Sequence, residues 1–298
     1  MNRSRRGLLA AAALAVLGGG AVEAAALSRS DPSDGPSLAA VGPSASPTPS
    51  PTPDHLTAAR TRIAADLAKV GKSRVTLAVR DRRSAIALTL GGTRFPTASI
   101  VKVDILAALL LRAQQRHEEV TGTDRRDAER MITVSDNDAA TALFGRIGGT
   151  SGLSSANRTF GLKQTTPHSS WGTTTTTAAD QVRLLTALAA EDGTLTKANR
   201  DYLFDLMGQV DEGQDWGVPA AAGPGTTGVY VKNGWDNISA DAGRWQVNSI
   251  GRLVEPGHDW LVAVLSHGHK TQPDGIKMIE TVVRHALAEL REIPGQPA

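Results

Sequence analysis

The sequence predicts one α+β domain, in which a five-stranded antiparallel sheet is built from both ends of the folded part. An all-helical subdomain is inserted in the middle, and an N-terminal and a C-terminal helix flank the sheet. Three observations predict it. Two short strand-like runs come early, a block reaching about Asp211 is nearly all of helical character, and three runs rich in Val, Ile and Trp follow before a last amphipathic helix.

The elements follow in order. Asp54 is a fair N-cap for a helix to about Val70, with Leu56, Ile63, Leu67 and Val70 as its apolar stripe. Val75 to Arg80 and Ala85 to Leu90 read as strands around the charged turn Asp81-Arg82-Arg83-Ser84. A helix opening at Ser99 carries the apolar run Val103 to Leu111. Further helices are expected over 124–133, 136–147, 151–160, 177–190 and 196–209, with Gly148-Gly149 and Asp192-Gly193 as stops. Thr227 to Asn233, Trp245 to Leu253 and Trp260 to His267 are the late strands, with Glu255-Pro256-Gly257 as the turn between the last two. Ile276 to Leu290 is the closing helix.

Three segments precede or make up this domain. Residues 1–26 read as an export signal: Arg3, Arg5 and Arg6, the apolar stretch Leu8 to Leu17, then Ala24-Ala25-Ala26. Ser4-Arg5-Arg6-Gly7-Leu8-Leu9 is twin-arginine-like, though a general secretory signal also fits. The apolar stretch is short for a membrane span, so no stable span is expected after cleavage. Residues 27–53 form a Pro-, Ser- and Thr-rich linker that cannot bury a core and is kept extended by its prolines. The folded domain is expected over 54–298. The expected location is exported, either extracellular or associated with the cell wall, and a monomer is expected.

Composition narrows the function. The chain has 298 residues, 40% hydrophobic and 21% charged, with a net charge of +2 and no cysteine. Disulfides, thiolate metal sites and lipid attachment through cysteine are excluded. No basic block is interleaved with aromatics, which argues against nucleic acid as a partner. His258, His267 and His269 cluster late in the chain, but His267-Gly268-His269 is a pair flanking a glycine with no third ligand in a recognisable frame; neither metal nor cofactor is expected.

The chemistry is centred on Phe95-Pro96-Thr97-Ala98-Ser99-Ile100-Val101-Lys102. A Ser and a Lys three apart at a helix start share one helix face. A serine hydroxyl attacks poorly until a base takes its proton, and a lysine held neutral by burial and nearby positive charge can be that base. N–H groups in the first helical turn favour developing negative charge. Alone, the pair also fits a capping serine and a solvated lysine.

Two further stretches add to it: Ser135-Asp136-Asn137, between helices, and Lys232-Asn233-Gly234-Trp235, at the end of the first late strand. This order of motifs resembles that of class A β-lactamases and penicillin-binding proteins, whose signature is S-x-x-K, S-D-N and K-T-G. Phe95, Ala139-Ala140, Ile147-Gly148-Gly149 and the threonines 173–177 resemble the family's flanks, and the likeness spans about residues 55–292. The chain looks like the β-lactamase-related serine hydrolases of high-GC Gram-positive bacteria. The resemblance implies a β-lactamase/transpeptidase-like fold and a serine acyl-enzyme. Its substrates would be amides or esters such as a β-lactam, or a peptidoglycan stem peptide ending in a D-amino acid. Ser99 would be the nucleophile and Lys102 its base. Ser135 would relay a proton to the leaving nitrogen, Asn137 would orient Lys102 and substrate, and Lys232 would hold a substrate carboxylate. The N–H groups of Ser99 and Trp235 would form the oxyanion hole, with Asn233, Gly234 and, more weakly, Arg244 binding substrate. Ser135 and Asn137 also have an ordinary use as loop caps, and Lys232 as a solvated strand lysine.

The departures matter for turnover. Class A enzymes deacylate with a glutamate on a loop after these helices. The corresponding stretch, residues 160–172, holds no Asp or Glu, and Asp180 is expected inside the next helix. Slow β-lactam turnover follows, with His168 as the one candidate base in the stretch. Asn233 stands where the family has Thr or Ser, so an amide would replace the hydroxyl that helps to bind the carboxylate. A protein that is acylated, or that binds wall fragments, without turnover is the alternative.

Overall fold

The computed structural model describes residues 53–70 and 74–294. The export signal expected over 1–26 and the linker up to residue 52 lie outside the described residues. The fold is α+β, as the patterning predicts. Helix α1 (Pro53–Lys69) leads into β1 (Val75–Asp81) and β2 (Ala87–Leu90). The short strand β3 (Phe95–Pro96) precedes a 3₁₀ turn, Ala98–Ile100, and then α2 (Val101–Gln115). Helices α3 (Gly122–Thr133), α4 (Asn137–Arg146) and α5 (Gly149–Thr159) follow, then β4 (Thr175–Thr176), α6 (Ala178–Ala189) and α7 (Lys197–Met207). The chain returns through β5 (Gly228–Ile238), β6 (Arg244–Glu255) and β7 (His258–His269) and ends on α8 (Gln272–Arg291).

The five long strands form one antiparallel sheet in the order β2-β1-β7-β6-β5. Central strand β7 shows how it is layered. Its alternate residues Trp260, Val262 and Val264 belong to one apolar cluster with α1 and α8, and Leu261, Ala263 and Leu265 to another with the helical subdomain. The sheet is therefore covered on both faces. Helix α2 runs through the second cluster, with Val101 to Leu111 all buried.

Three boundaries differ from the sequence reading. Asp54 falls in the first turn of α1 rather than at its cap. The Ser99 segment opens as a 3₁₀ turn before α2, because Ala98 takes a left-handed φ of 46°. Strand β5 continues past Asn233 to Ile238, since β6 pairs with it residue by residue from Gly228↔Val254 to Ile238↔Arg244. The β3–β4 ribbon, pairing Phe95 with Thr176 and Pro96 with Thr175, had no sequence signal.

Inside α2 lies a buried carboxyl that sequence reasoning missed. Asp104 is 1% exposed and neither of its carboxylate oxygens forms a hydrogen bond. Burial raises its pKa to about 7. The folded protein therefore keeps the proton to higher pH than the unfolded chain does. Stability from this group is full below the unfolded pKa and is lost as pH rises through about 7. Asp104→Asn cannot ionise, so it should match the parent in thermal melts near pH 4 and exceed it at pH 8. The gain should be on the order of a few kcal/mol. Equal melting temperatures at pH 8 would sink this account.

Candidate active site

The turn carrying Ser99 is held from three sides. From β6, the buried side chain of Asn248 donates to the carbonyls of Pro96 and Thr97, each at 3.0 Å, and Gln246 donates to Pro96 as well. From the loop before β4, the Thr174 carbonyl accepts from Thr97 N at 2.7 Å. From β5, the backbone of Gly234 comes so close that a Cβ there would lie 2.7 Å from Ser99 N, 2.8 Å from Ile100 N and 2.8 Å from the Thr97 carbonyl. Sequence reasoning missed Gln246 and Asn248. The signal for them was two amides at alternate positions, on one face of a strand, where a buried polar side chain needs a backbone partner.

The lysine and the Ser-Asp-Asn loop are brought together. Lys102, fully buried, donates from Nζ to the Ser135 carbonyl at 2.7 Å, to Ser135 Oγ at 3.1 Å and to Asn137 Oδ1 at 2.7 Å. Ser135 holds a left-handed φ of 57°, and Asp136 caps α4 by accepting from Ala139 N at 2.8 Å. Burial lowers the Lys102 pKa to about 8, against the nearby charge of Asp136, which raises it. Lys232, 1% exposed, is lowered further, to about 7, first by burial and then by the positive charge of Lys102. None of the hydrogen bonds from Lys102 Nζ reaches Ser99, and Ser99 Oγ forms none among the described residues. Ser99, Ser135, Asn137 and Trp235 line one cavity of about 360 Å³, with Val134, Asp211, Gly213 and Gln214 completing it.

Three expected site residues stand elsewhere. Asn233 spends both N–H donors on the carbonyls of Gln214 and Trp216, at 2.8 and 2.9 Å, and so has none left for substrate. A neighbouring loop with two unpaired carbonyls claimed the amide first. His168 is an exposed loop brace whose Nδ1 accepts from Ser170 N at 3.1 Å and meets Thr173 Oγ1 at 2.8 Å; it does not line the cavity. Arg244 donates to the Gly268 carbonyl at 3.3 Å at the sheet end and is also absent from the cavity wall. Of the late histidines, His258 bonds Asp81, His269 bonds Ser266 and His267 sits 3.0 Å from Asp241. Among the described residues no group of three metal-ligating side chains occurs.

The loop after α5 bears on what can follow acylation. Asp180, in α6 as expected, accepts from Lys163 N, Gln164 N and Thr165 Oγ1 and so anchors the loop rather than facing Ser99. The residue that reaches Lys102 from this loop is Trp171. Its ring centroid lies 4.9 Å from Lys102 Nζ, and its Nε1 donates to Thr141 Oγ1 at 3.1 Å. A cation over the ring is attracted to its π face, but the ring offers no proton acceptor for a water.

Sheet, inserted helices and the lysine-centred cluster beside Ser99 define a β-lactamase-like serine hydrolase. The chain belongs to the β-lactamase enzyme family, whose sequence profile matches residues 123–290. That match begins beyond Ser99 and Lys102, so their placement rests on the geometry above. The putative lipoprotein LppW of Mycobacterium tuberculosis is 29% identical over 216 residues, covering 70% of this chain and 67% of the relative. The acyl-enzyme complex of a PBP-A point mutant with penicillin G superposes with a TM-score of 0.69 at 23% identity, over 82% of this chain and all of the other. A class A β-lactamase from Mycobacterium abscessus does so with a TM-score of 0.64 at 21% identity, over 78% of this chain and 99% of the other.

Proposed function

We propose that the protein is an exported acyl-enzyme: Ser99 attacks the carbonyl of a β-lactam or of a D-amino-acid-terminated wall peptide, and the acyl group then leaves slowly. The observation that carries this is the buried Lys102, bonded to Ser135 and Asn137 next to Ser99, with a pKa brought down to about 8. Lys102 takes the Ser99 proton as the serine oxygen bonds to the carbonyl carbon. The Ser99 and Trp235 N–H groups receive the oxyanion. Ser135 Oγ, 3.1 Å from Lys102 Nζ, passes the proton to the leaving nitrogen as its bond to carbon breaks. Slow release is supported by Trp171 over Lys102 and by the lack of an acid in residues 160–172. Export is supported by the leader-like residues 1–26 and by the lipoprotein relative.

A fluorescent penicillin tests the reading. The purified chain should be labelled one-to-one, and Ser99→Ala should not be labelled at all. Labelling of both to the same extent would show that another group reacts.

A further inference from the structure

The carboxylate-binding role expected of Lys232 is altered by a side chain that the sequence reading did not single out. The segment from Asp211 to Gly217 crosses from the helical subdomain to the sheet and is clamped along its length. Asp211 N donates to the Thr133 carbonyl at 3.0 Å, Gln214 N to the Asp211 carbonyl at 2.7 Å, and Asn233 holds the carbonyls of Gln214 and Trp216. Trp216 packs on Trp235 with ring centroids 5.9 Å apart. Gly217 closes the segment at a φ of 80°, where a Cβ would fall 2.3 Å from Ser249 Oγ. So fixed, Gln214 puts its Oε1 at 3.3 Å from Lys232 Nζ and also lines the Ser99 cavity. An ammonium has only protons to offer, so the amide oxygen faces Lys232 and the Nε2 protons face away from it. The same segment carries exposed Asp211, Glu212 and Asp215, and Asp211 lines the cavity itself.

We infer that Gln214 is a specificity-determining residue. It caps Lys232 and presents amide N–H groups in its place, so the site selects acyl donors whose second recognition group is a neutral hydrogen-bond acceptor, such as an amidated or esterified carboxyl, over those with a free carboxylate. This rests on the acyl-enzyme reading above. A carboxylate entering the cavity meets a neutral donor and the negative Asp211, and reaches Lys232 only by displacing the cap. Losing water without a full charge partner is costly for an ion and much less so for a carbonyl.

Two probes that differ only in this group test it: benzylpenicillin and its methyl ester, with second-order acylation rates of Ser99 measured by intact-mass spectrometry. Intrinsic reactivity cancels when the ester-to-acid rate ratio is compared between variants. Gln214→Ala should lower that ratio by tenfold or more, because the acid gains access to Lys232 while the ester loses its donor. Gln214→Glu, nearly the same shape, should pair with Lys232 and slow the acid by at least tenfold relative to the parent chain. If both probes acylate Ser99 and the ratio stays within twofold in Gln214→Ala, this inference falls and the acyl-enzyme reading stands. If neither probe acylates Ser99, both fall together.

Discussion

Lys102→Ala should slow acylation of Ser99 by about 10³-fold while leaving the fold intact, a loss of roughly 4 kcal/mol of transition-state stabilisation. The size follows from what the side chain does. Its amine is a buried base bonded to two residues of the Ser99 cavity, Ser135 and Asn137, and it ties their loop to α2. Burial disfavours the ammonium and outweighs the opposing negative charge of Asp136, bringing the pKa to about 8. The amine works only when deprotonated. The parent acylation rate with a neutral ester should therefore rise about tenfold per pH unit below 8 and level off above it. Lys102→Arg should not rescue, because a guanidinium stays charged. A stopped-flow pH series decides the matter: a flat profile across pH 6 to 9 would remove Lys102 as the base.

Gly234→Ala should be nearly as damaging by a different route. The added Cβ would overlap three backbone atoms, Ser99 N, Ile100 N and the Thr97 carbonyl oxygen, none of which can swing aside as a flexible side chain can. The turn must move off β5, and the Ser99 and Trp235 N–H groups, proposed above as the oxyanion donors, part with it. Loss of oxyanion donors lowers rates by about 10²–10³-fold. Overpacking a rigid contact also costs about 1–3 kcal/mol of stability. Acylation kinetics and a denaturant titration on the same sample separate the two effects. Unchanged kinetics would mean that the strand and the turn are less tightly coupled than their contact implies.

What could be read from the sequence divides along a physical line. The alternating strands, the apolar run of α2 and the three motifs report local periodicity and fixed chemistry, and the structure brings Ser99, Ser135, Asn137 and Trp235 around one cavity, with Lys102 bonded to Ser135 and Asn137 and Lys232 to Gln214 of its wall. What stayed hidden depends on which backbone groups happen to be left unpaired nearby. Asn233 reads as a substrate donor until the carbonyls of Gln214 and Trp216 take its protons. His168 reads as a base until its ring is seen to brace its own loop. Trp171 and Gln214 carry no motif at all. They matter because a loop and a clamped segment, each distant in sequence from the lysine it meets, deliver them to Lys102 and Lys232.

The most direct test is intact-mass spectrometry of the purified chain mixed with benzylpenicillin and sampled over hours, beside Ser99→Ala. The account predicts an adduct of one drug molecule per chain, absent in Ser99→Ala, that persists long after free drug is removed. An adduct that clears within seconds while the drug is consumed would contradict slow release, and the absence of any Ser99-dependent adduct with both benzylpenicillin and its methyl ester would contradict the acyl-enzyme itself.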